Sequence, residues 1–252
     1  MRVRVLSDLD AVAEMAAREF AQAAQQAIAS RGRFLVALAG GRTPALAYSQ
    51  LAADPWCDSV DWPRVEFFWG DERAVPPDDP ESNYGLARRT MLRPLGIDES
   101  RVHRMRGEAE DLGAAAREYG EVLARVAGTP PVLDLVLLGM GADGHIASLF
   151  PESPALSERQ RPVIDVEAPE TGMRRLTLTF PVILGARSIA VQVTGADKAQ
   201  TLRRVFLSDP DSVTLPACRL SKAGGRVLWL VDASAAGGRD GPDAIARAPR
   251  SE

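Results

Sequence analysis

Cysteine, histidine and lysine are scarce in this chain, with two of each in 252 residues. Cys57 and Cys218 stand far apart and in no metal-ligand spacing, which excludes a disulfide framework and a cysteine-based metal site. Both are expected to be packing residues in a reducing compartment. Long apolar runs are also missing. Runs such as residues 34–39 and 135–138 fall far below the roughly 20 residues that a membrane span needs. The N-terminus carries charge but no apolar core of a signal peptide. A cytoplasmic protein with no membrane partner is therefore expected. A basic excess is absent too: 30 Lys and Arg against 34 Asp and Glu leave a net charge of −4, which argues against nucleic acid.

Apolar residues at 46% and charged residues at 25% place the chain among ordinary globular proteins and far from disorder. Of the 30 basic residues, only Lys198 and Lys222 are lysines, and the histidines are His103 and His145. Any chemistry that needs an imidazole or an ammonium has a short list of candidates.

Apolar periodicity organises the chain. Residues 2–6 alternate as a strand, and Asp8 or Asp10 caps a helix whose apolar positions run from Val12 to Ile28 and which stops at Gly32. Further strands are expected at 34–39, 65–69, 102–105, 133–140, 163–166, 176–180, 189–193 and 227–231. Helices are expected from near Asn83, over 112–126 and over 196–206. Continuous apolar strands alternating with helices predict an α/β, Rossmann-like fold, a mostly parallel sheet covered on both faces. A single domain over residues 1–236 is expected, with a loose Gly-, Arg- and Ala-rich tail over 237–252. Ligands of such sheets bind beyond the carboxyl ends of the strands. Loops 40–44, 70–73, 139–151 and 194–198 each follow an expected strand and can converge there.

Gly139-Met-Gly-Ala-Asp-Gly144 matches the dinucleotide pattern G-x-G-x-x-G, with Asp165 or Glu167 roughly 20 residues on. Pro151 leaves no room for the long crossover helix, the motif follows a late strand, and Asp143 would face a pyrophosphate, so that reading fails. As a catalytic loop the segment fits better. Its glycines allow sharp turns and close approach, bringing Asp143 and His145 to the strand end. An imidazole, which titrates at about pH 6.5, suits the role of a base near neutrality. His103, in a short expected strand between arginines, is read as structural. Gly40-Gly41-Arg42-Thr43-Pro44 offers backbone N–H groups, a hydroxyl and a helix start to an anion, without the Gly-Lys-Ser/Thr ending of a P-loop. Gly70-Asp71-Glu72-Arg73 gathers charge at another strand end, where a solvated turn is the ordinary alternative. Arg175 directly precedes the expected strand at 176–180 and Lys198 begins the helix after another strand, and a lysine suits phosphate as a point charge. Arg88-Arg89 and Arg203-Arg204 are read as helix-surface charges.

Ala39-Gly-Gly-Arg-Thr-Pro44, Phe68-Trp-Gly-Asp-Glu-Arg-Ala-Val-Pro76, Ser82-Asn83-Tyr84, Leu138-Gly-Met-Gly-Ala-Asp-Gly-His-Ile-Ala-Ser-Leu-Phe-Pro151, Arg175-Leu-Thr-Leu-Thr179 and Gly195-Ala-Asp-Lys198 together resemble the glucosamine-6-phosphate isomerase/6-phosphogluconolactonase family, on its lactonase side. The resemblance runs in order from the first helix to about Asp232. It implies the fold shared with glucosamine-6-phosphate deaminase and ribose-5-phosphate isomerase. It implies hydrolysis of 6-phospho-D-glucono-1,5-lactone, a sugar phosphate, without an organic cofactor; no metal and a monomer are expected as well. In that frame His145 activates water, Asp143 orients the site and Arg73 stabilises the oxyanion. Gly40, Gly41, Arg42, Thr43, Asp71, Arg175 and Lys198 form the substrate and phosphate set. The sequence departs from the family at Ala39, where a hydroxyl residue is common, and at Arg42, where a small one is. The alternatives are a deaminase or isomerase on the same fold, whose loop resembles GxGxDGHIAFNEP, and a sugar-phosphate sensor that binds without turnover.

Overall fold

The computed structural model describes residues 2–209, 211 and 214–237. The chain opens with strand β1 (Arg2–Leu6) and helix α1 (Leu9–Arg31). The Asp8 side chain caps α1 by accepting from the Ala11 N–H at 2.9 Å, and Gly32 ends it at φ 77°, the left-handed geometry that favours glycine. Then come β2 (Phe34–Leu38), α2 (Arg42–Leu51), β3 (Val65–Trp69), β4 (Asp71–Arg73) and α3 (Asn83–Ala87). They are followed by α4 (Leu112–Ala127), β5 (Leu135–Gly139), β6 (Val163–Glu167), β7 (Arg174–Leu178) and α5 (Phe180–Gly185). The described chain closes with β8 (Ser188–Val193), α6 (Ala199–Leu207) and β9 (Val227–Asp232).

Six strands form one parallel sheet in the order β1-β9-β8-β5-β2-β3. The uniform burial of β2 and β9 follows from cover on both faces. In β2, Phe34, Val36 and Leu38 pack with α1 and α2, while Leu35 and Ala37 pack toward α4. In β5, Leu135 and Leu137 take the first face, and Val136 and Leu138 the second. Beyond β2 the chain runs outward to β3, whereas beyond β5 it runs the other way to β8. The loops that leave β2 and β5 therefore part from adjacent strands, which opens a crevice at their carboxyl ends.

Two expectations are corrected. Residues 71–73, expected as a loop, form β4, which pairs antiparallel with β7; β7 in turn pairs with β6, making a separate three-stranded sheet in the order β4-β7-β6. Gly70 joins the two sheets, donating its N–H to Leu38 O and accepting from Leu178 N, both at 2.8 Å. Residues 102–105 form no strand; a lone bridge joins Val102 to Phe67, and the His103 N–H donates to Phe67 O at 2.8 Å. No helix among the described residues is long and apolar enough to cross a membrane. The expected tail lies outside the described residues from 238 onward.

Candidate active site

The loop after β2 is built to leave N–H groups free. Gly41 precedes α2 at φ 101° and no side chain caps the helix, so the N–H groups that begin it have no side-chain partner. The buried Tyr48 hydroxyl pins this loop from inside, accepting from Ala39 N at 2.9 Å and donating to Ala39 O at 2.8 Å. Thr43 meets Thr194, which follows β8, at 2.9 Å between hydroxyl oxygens.

The charged segment after β3 divides its labour. Glu72 is buried and accepts from the N–H groups of Arg73, Asn83 and Tyr84 at 2.8, 2.7 and 2.8 Å, so it fastens the start of α3. Burial pushes its carboxyl above the ordinary value, against the pull of those N–H groups. Asp71, also buried, accepts from the Ser148 hydroxyl at 2.6 Å and from Asn83 Nδ2 at 3.2 Å, and it lies 3.9 Å from Arg175 Nη1. Asn83 in turn presses against Gly40: a Cβ at Gly40 would lie 1.7 Å from Asn83 Oδ1. Arg73 and Arg175 stand opposite each other across β4 and β7. Like charges in that position repel, and the Nε of each is buried without a partner. Burial pushes the Arg175 guanidinium below its ordinary value, with Asp71 opposing and Arg73 adding to the shift.

The loop after β5 carries the imidazole. His145 Nδ1 lies 2.6 Å from Asp143 Oδ1, which also accepts from the His145 backbone N–H at 3.1 Å. Burial disfavours charge on Asp143, but the hydrogen bond and charge of His145 outweigh it and hold the carboxyl below its ordinary value. An ionised carboxylate only accepts, so Nδ1 carries a proton, and the neutral form of the ring is the tautomer with its lone pair on Nε2. The loop is anchored by Gly141 N donating to His145 O at 2.9 Å and by Ala217 N donating to Gly144 O at 3.0 Å. Ala147, at φ 49°, holds a strained conformation beside the imidazole.

These loops enclose a cavity of about 330 Å³. Gly40, Gly41, Arg42, Thr43, Asp71, Arg73, His145, Arg175 and Lys198 all line it, so the structure brings together every expected site residue except Asp143, which stands behind His145. Four cations face one lining carboxylate, Asp71, in a chain of net charge −4. Lys198 is paired with the exposed Asp197 at 2.9 Å. Sequence reasoning assigned no role to Gln192 or Thr194, which also line the cavity, or to Ser148 beneath it. The one available signal was an amide, Gln192, inside an apolar strand. His103 is structural, as expected: Nε2 meets Glu66 at 2.8 Å and the ring stacks on Phe68 at 4.7 Å. Among the described residues one group has metal-ligand spacing, Asp54, Cys57 and Asp58, within 4.8 Å of one another and largely exposed. The Asp54 hydrogen bond pushes the Cys57 thiol up, away from the thiolate that a metal requires.

A family model described as glucosamine-6-phosphate isomerases/6-phosphogluconolactonase matches residues 7–229. The chain is 38% identical to a 6-phosphogluconolactonase of Streptomyces coelicolor, over 91% of each chain. It is 39% identical to a 6-phosphogluconolactonase of Mycobacterium tuberculosis, over 93% of this chain and 96% of that one. The solved structure of 6-phosphogluconolactonase from Trypanosoma brucei superposes with a TM-score of 0.82 at 30% identity, covering 94% of this chain and 97% of that one. A monomeric glucosamine-6-phosphate deaminase, 24% identical with a TM-score of 0.80, shares the fold. The cation-lined cavity at the strand ends, its Asp143–His145 pair and these similarities agree, and the chain belongs to the glucosamine-6-phosphate isomerase/6-phosphogluconolactonase family.

Proposed function

We propose that this protein hydrolyses 6-phospho-D-glucono-1,5-lactone to 6-phospho-D-gluconate, the lactone-opening step of the oxidative pentose phosphate pathway. The observation that carries the reading is the Asp143–His145 pair at a cavity lined by Arg42, Arg73, Arg175 and Lys198. His145 Nε2 takes a proton from water as the water oxygen attacks the lactone carbonyl carbon. The carbonyl oxygen becomes an oxyanion, which Arg73 stabilises. As the intermediate collapses, the bond from C1 to the ring oxygen breaks, and the imidazolium returns its proton to that oxygen. Asp143 holds the ring in the required tautomer and stabilises the imidazolium between these steps. The first turn of α2, Thr43, Arg175 and Lys198 hold the phosphate, so binding energy far from the carbonyl orients the ring. Asp71 sets Arg175 and Asn83 in place. A monomer is part of this reading, and the phosphorylated substrate supports a cytoplasmic enzyme.

The stretch Ser148-Leu149-Phe150-Pro151 favours the lactonase over the deaminase. Where a deaminase-like loop carries a glutamate directly before its proline, this chain has the buried Phe150 before Pro151, and Glu152 falls beyond the proline. Lactone generated in situ should disappear faster in the presence of the protein. His145→Ala should remove about 10²- to 10⁴-fold of that rate while 6-phosphogluconate still binds. A lactone lifetime unchanged by the wild-type protein overturns the reading in favour of a sensor, and ammonia release from glucosamine 6-phosphate overturns it in favour of the deaminase.

A further inference from the structure

Among the described residues that line the cavity, Gln192 is the amide whose donor and acceptor are both unmet. It lies on β8 and is 3% exposed, yet neither Nε2 nor Oε1 has a hydrogen-bond partner. Its register partners are Gly139 on β5 and Leu230 on β9. Gly139 has no side chain, and a Cβ built there would meet nothing within 4 Å, so space is open beside the amide on the cavity side. Thr194, two residues on, is already engaged with Thr43 of the α2 loop. Gln192 therefore stands in the cavity wall beside β5, the strand that leads to His145, and two residues before Thr194, which meets the loop that offers N–H groups to phosphate.

A buried amide with neither end paired is costly to keep in an otherwise apolar strand, where methionine or leucine would fill the same volume. A group that both donates and accepts is needed to satisfy it. A phosphate dianion only accepts, and would leave Oε1 unmet. A sugar hydroxyl does both, accepting from Nε2 or donating to Oε1. We propose that Gln192 is a specificity-determining residue that binds a hydroxyl of the sugar ring, so that the enzyme recognises the polyol part of its substrate and not the phosphate alone. The proposal rests on the sugar-phosphate reading of the cavity and deepens it.

The test uses Gln192→Met, with Gln192→Leu as a second apolar variant of similar size. Binding of 6-phosphogluconate and of inorganic phosphate is measured by calorimetry, alongside the melting temperature. The expected result is 6-phosphogluconate binding weakened roughly tenfold, inorganic phosphate binding unchanged, and a melting temperature equal to or above that of the wild type. Equal weakening of both ligands, unchanged 6-phosphogluconate binding, or a lowered melting temperature in both variants overturns the proposal, the last because it marks a structural amide. Wild-type lactone turnover is read separately. Its absence, with the selective loss of 6-phosphogluconate binding intact, would remove the lactonase assignment and leave the hydroxyl contact standing.

Discussion

A Cβ on Gly141 would stand 2.2 Å from His145 Nδ1 and 2.5 Å from Asp143 Oδ1. The imidazole and its carboxylate thus lie directly against bare backbone, and the first glycine after β5 is part of what sets their geometry. Gly141→Ala is expected to push the pair out of place while the anchored loop keeps its fold. The expected outcome is kcat/KM lower by about 10²-fold with a nearly unchanged melting temperature. A variant with wild-type kinetics would show that the pair tolerates displacement.

Asp143→Asn tests the tautomer. The amide can donate to Nδ1, which moves the ring proton to Nε2 and removes the base, and it no longer stabilises the imidazolium. A fall in kcat of about 10³-fold, with KM little changed, is expected in steady-state lactone kinetics. A comparable rise in KM would instead place Asp143 in substrate binding.

Lys198→Ala separates anchoring from chemistry. Its partner Asp197 is largely exposed, so the variant leaves no buried charge. KM for the lactone should rise about tenfold with kcat within a few-fold of wild type, and raising ionic strength should shrink the difference.

His103→Ala is the counterpart to the loss of His145. Removing its contacts with Glu66 and Phe68 should cost about 1–3 kcal/mol of stability in denaturant unfolding and leave kcat/KM unaltered. A loss of activity in folded protein would contradict its structural role.

Glu158 gives a pH signature. Its carboxylate accepts from the backbone N–H groups of Arg161, Gln160 and Arg159, which with the Arg161 side chain lower its pKa from the ordinary 4.5 to about 2. A lowered folded value means that the stabilisation is complete above pH 4.5, declines as pH falls, and is gone below about 2. Wild type should therefore melt above Glu158→Gln at neutral pH, and the gap should narrow steadily from pH 4.5 downward. A gap that stays constant with pH would assign the difference to packing.

Much of the fold was legible because its signals are local. Apolar runs marked β2, β3, β5 and β9, Asp8 and Gly32 marked the ends of α1, and the glycines around Asp143 and His145 marked a loop that turns tightly beside a functional group. Three-residue β4 was invisible. So short a strand carries no periodicity, and it exists because β7 supplies its hydrogen bonds from about a hundred residues further on. The expected strand at 102–105 failed for want of partners: Phe67 offers it a single bridge and Glu66 takes the His103 ring.

Residue types and their spacing were enough to propose the Asp143–His145 pair, since a glycine-rich turn, an acceptor carboxylate and an imidazole two residues away act over a distance that the chain fixes locally. The division of labour within residues 70–73 needed the assembled molecule. Asp71, Glu72 and Arg73 look alike as a charge run, yet Glu72 is consumed by the N–H groups that begin α3, Asp71 by Ser148 and Asn83, and Arg73 is left beside Arg175 in the cavity. Gln192 follows the same rule. Whether a buried amide is partnered or open depends on what the neighbouring strands and loops present to it, and those neighbours are set by long-range pairing in the tertiary structure.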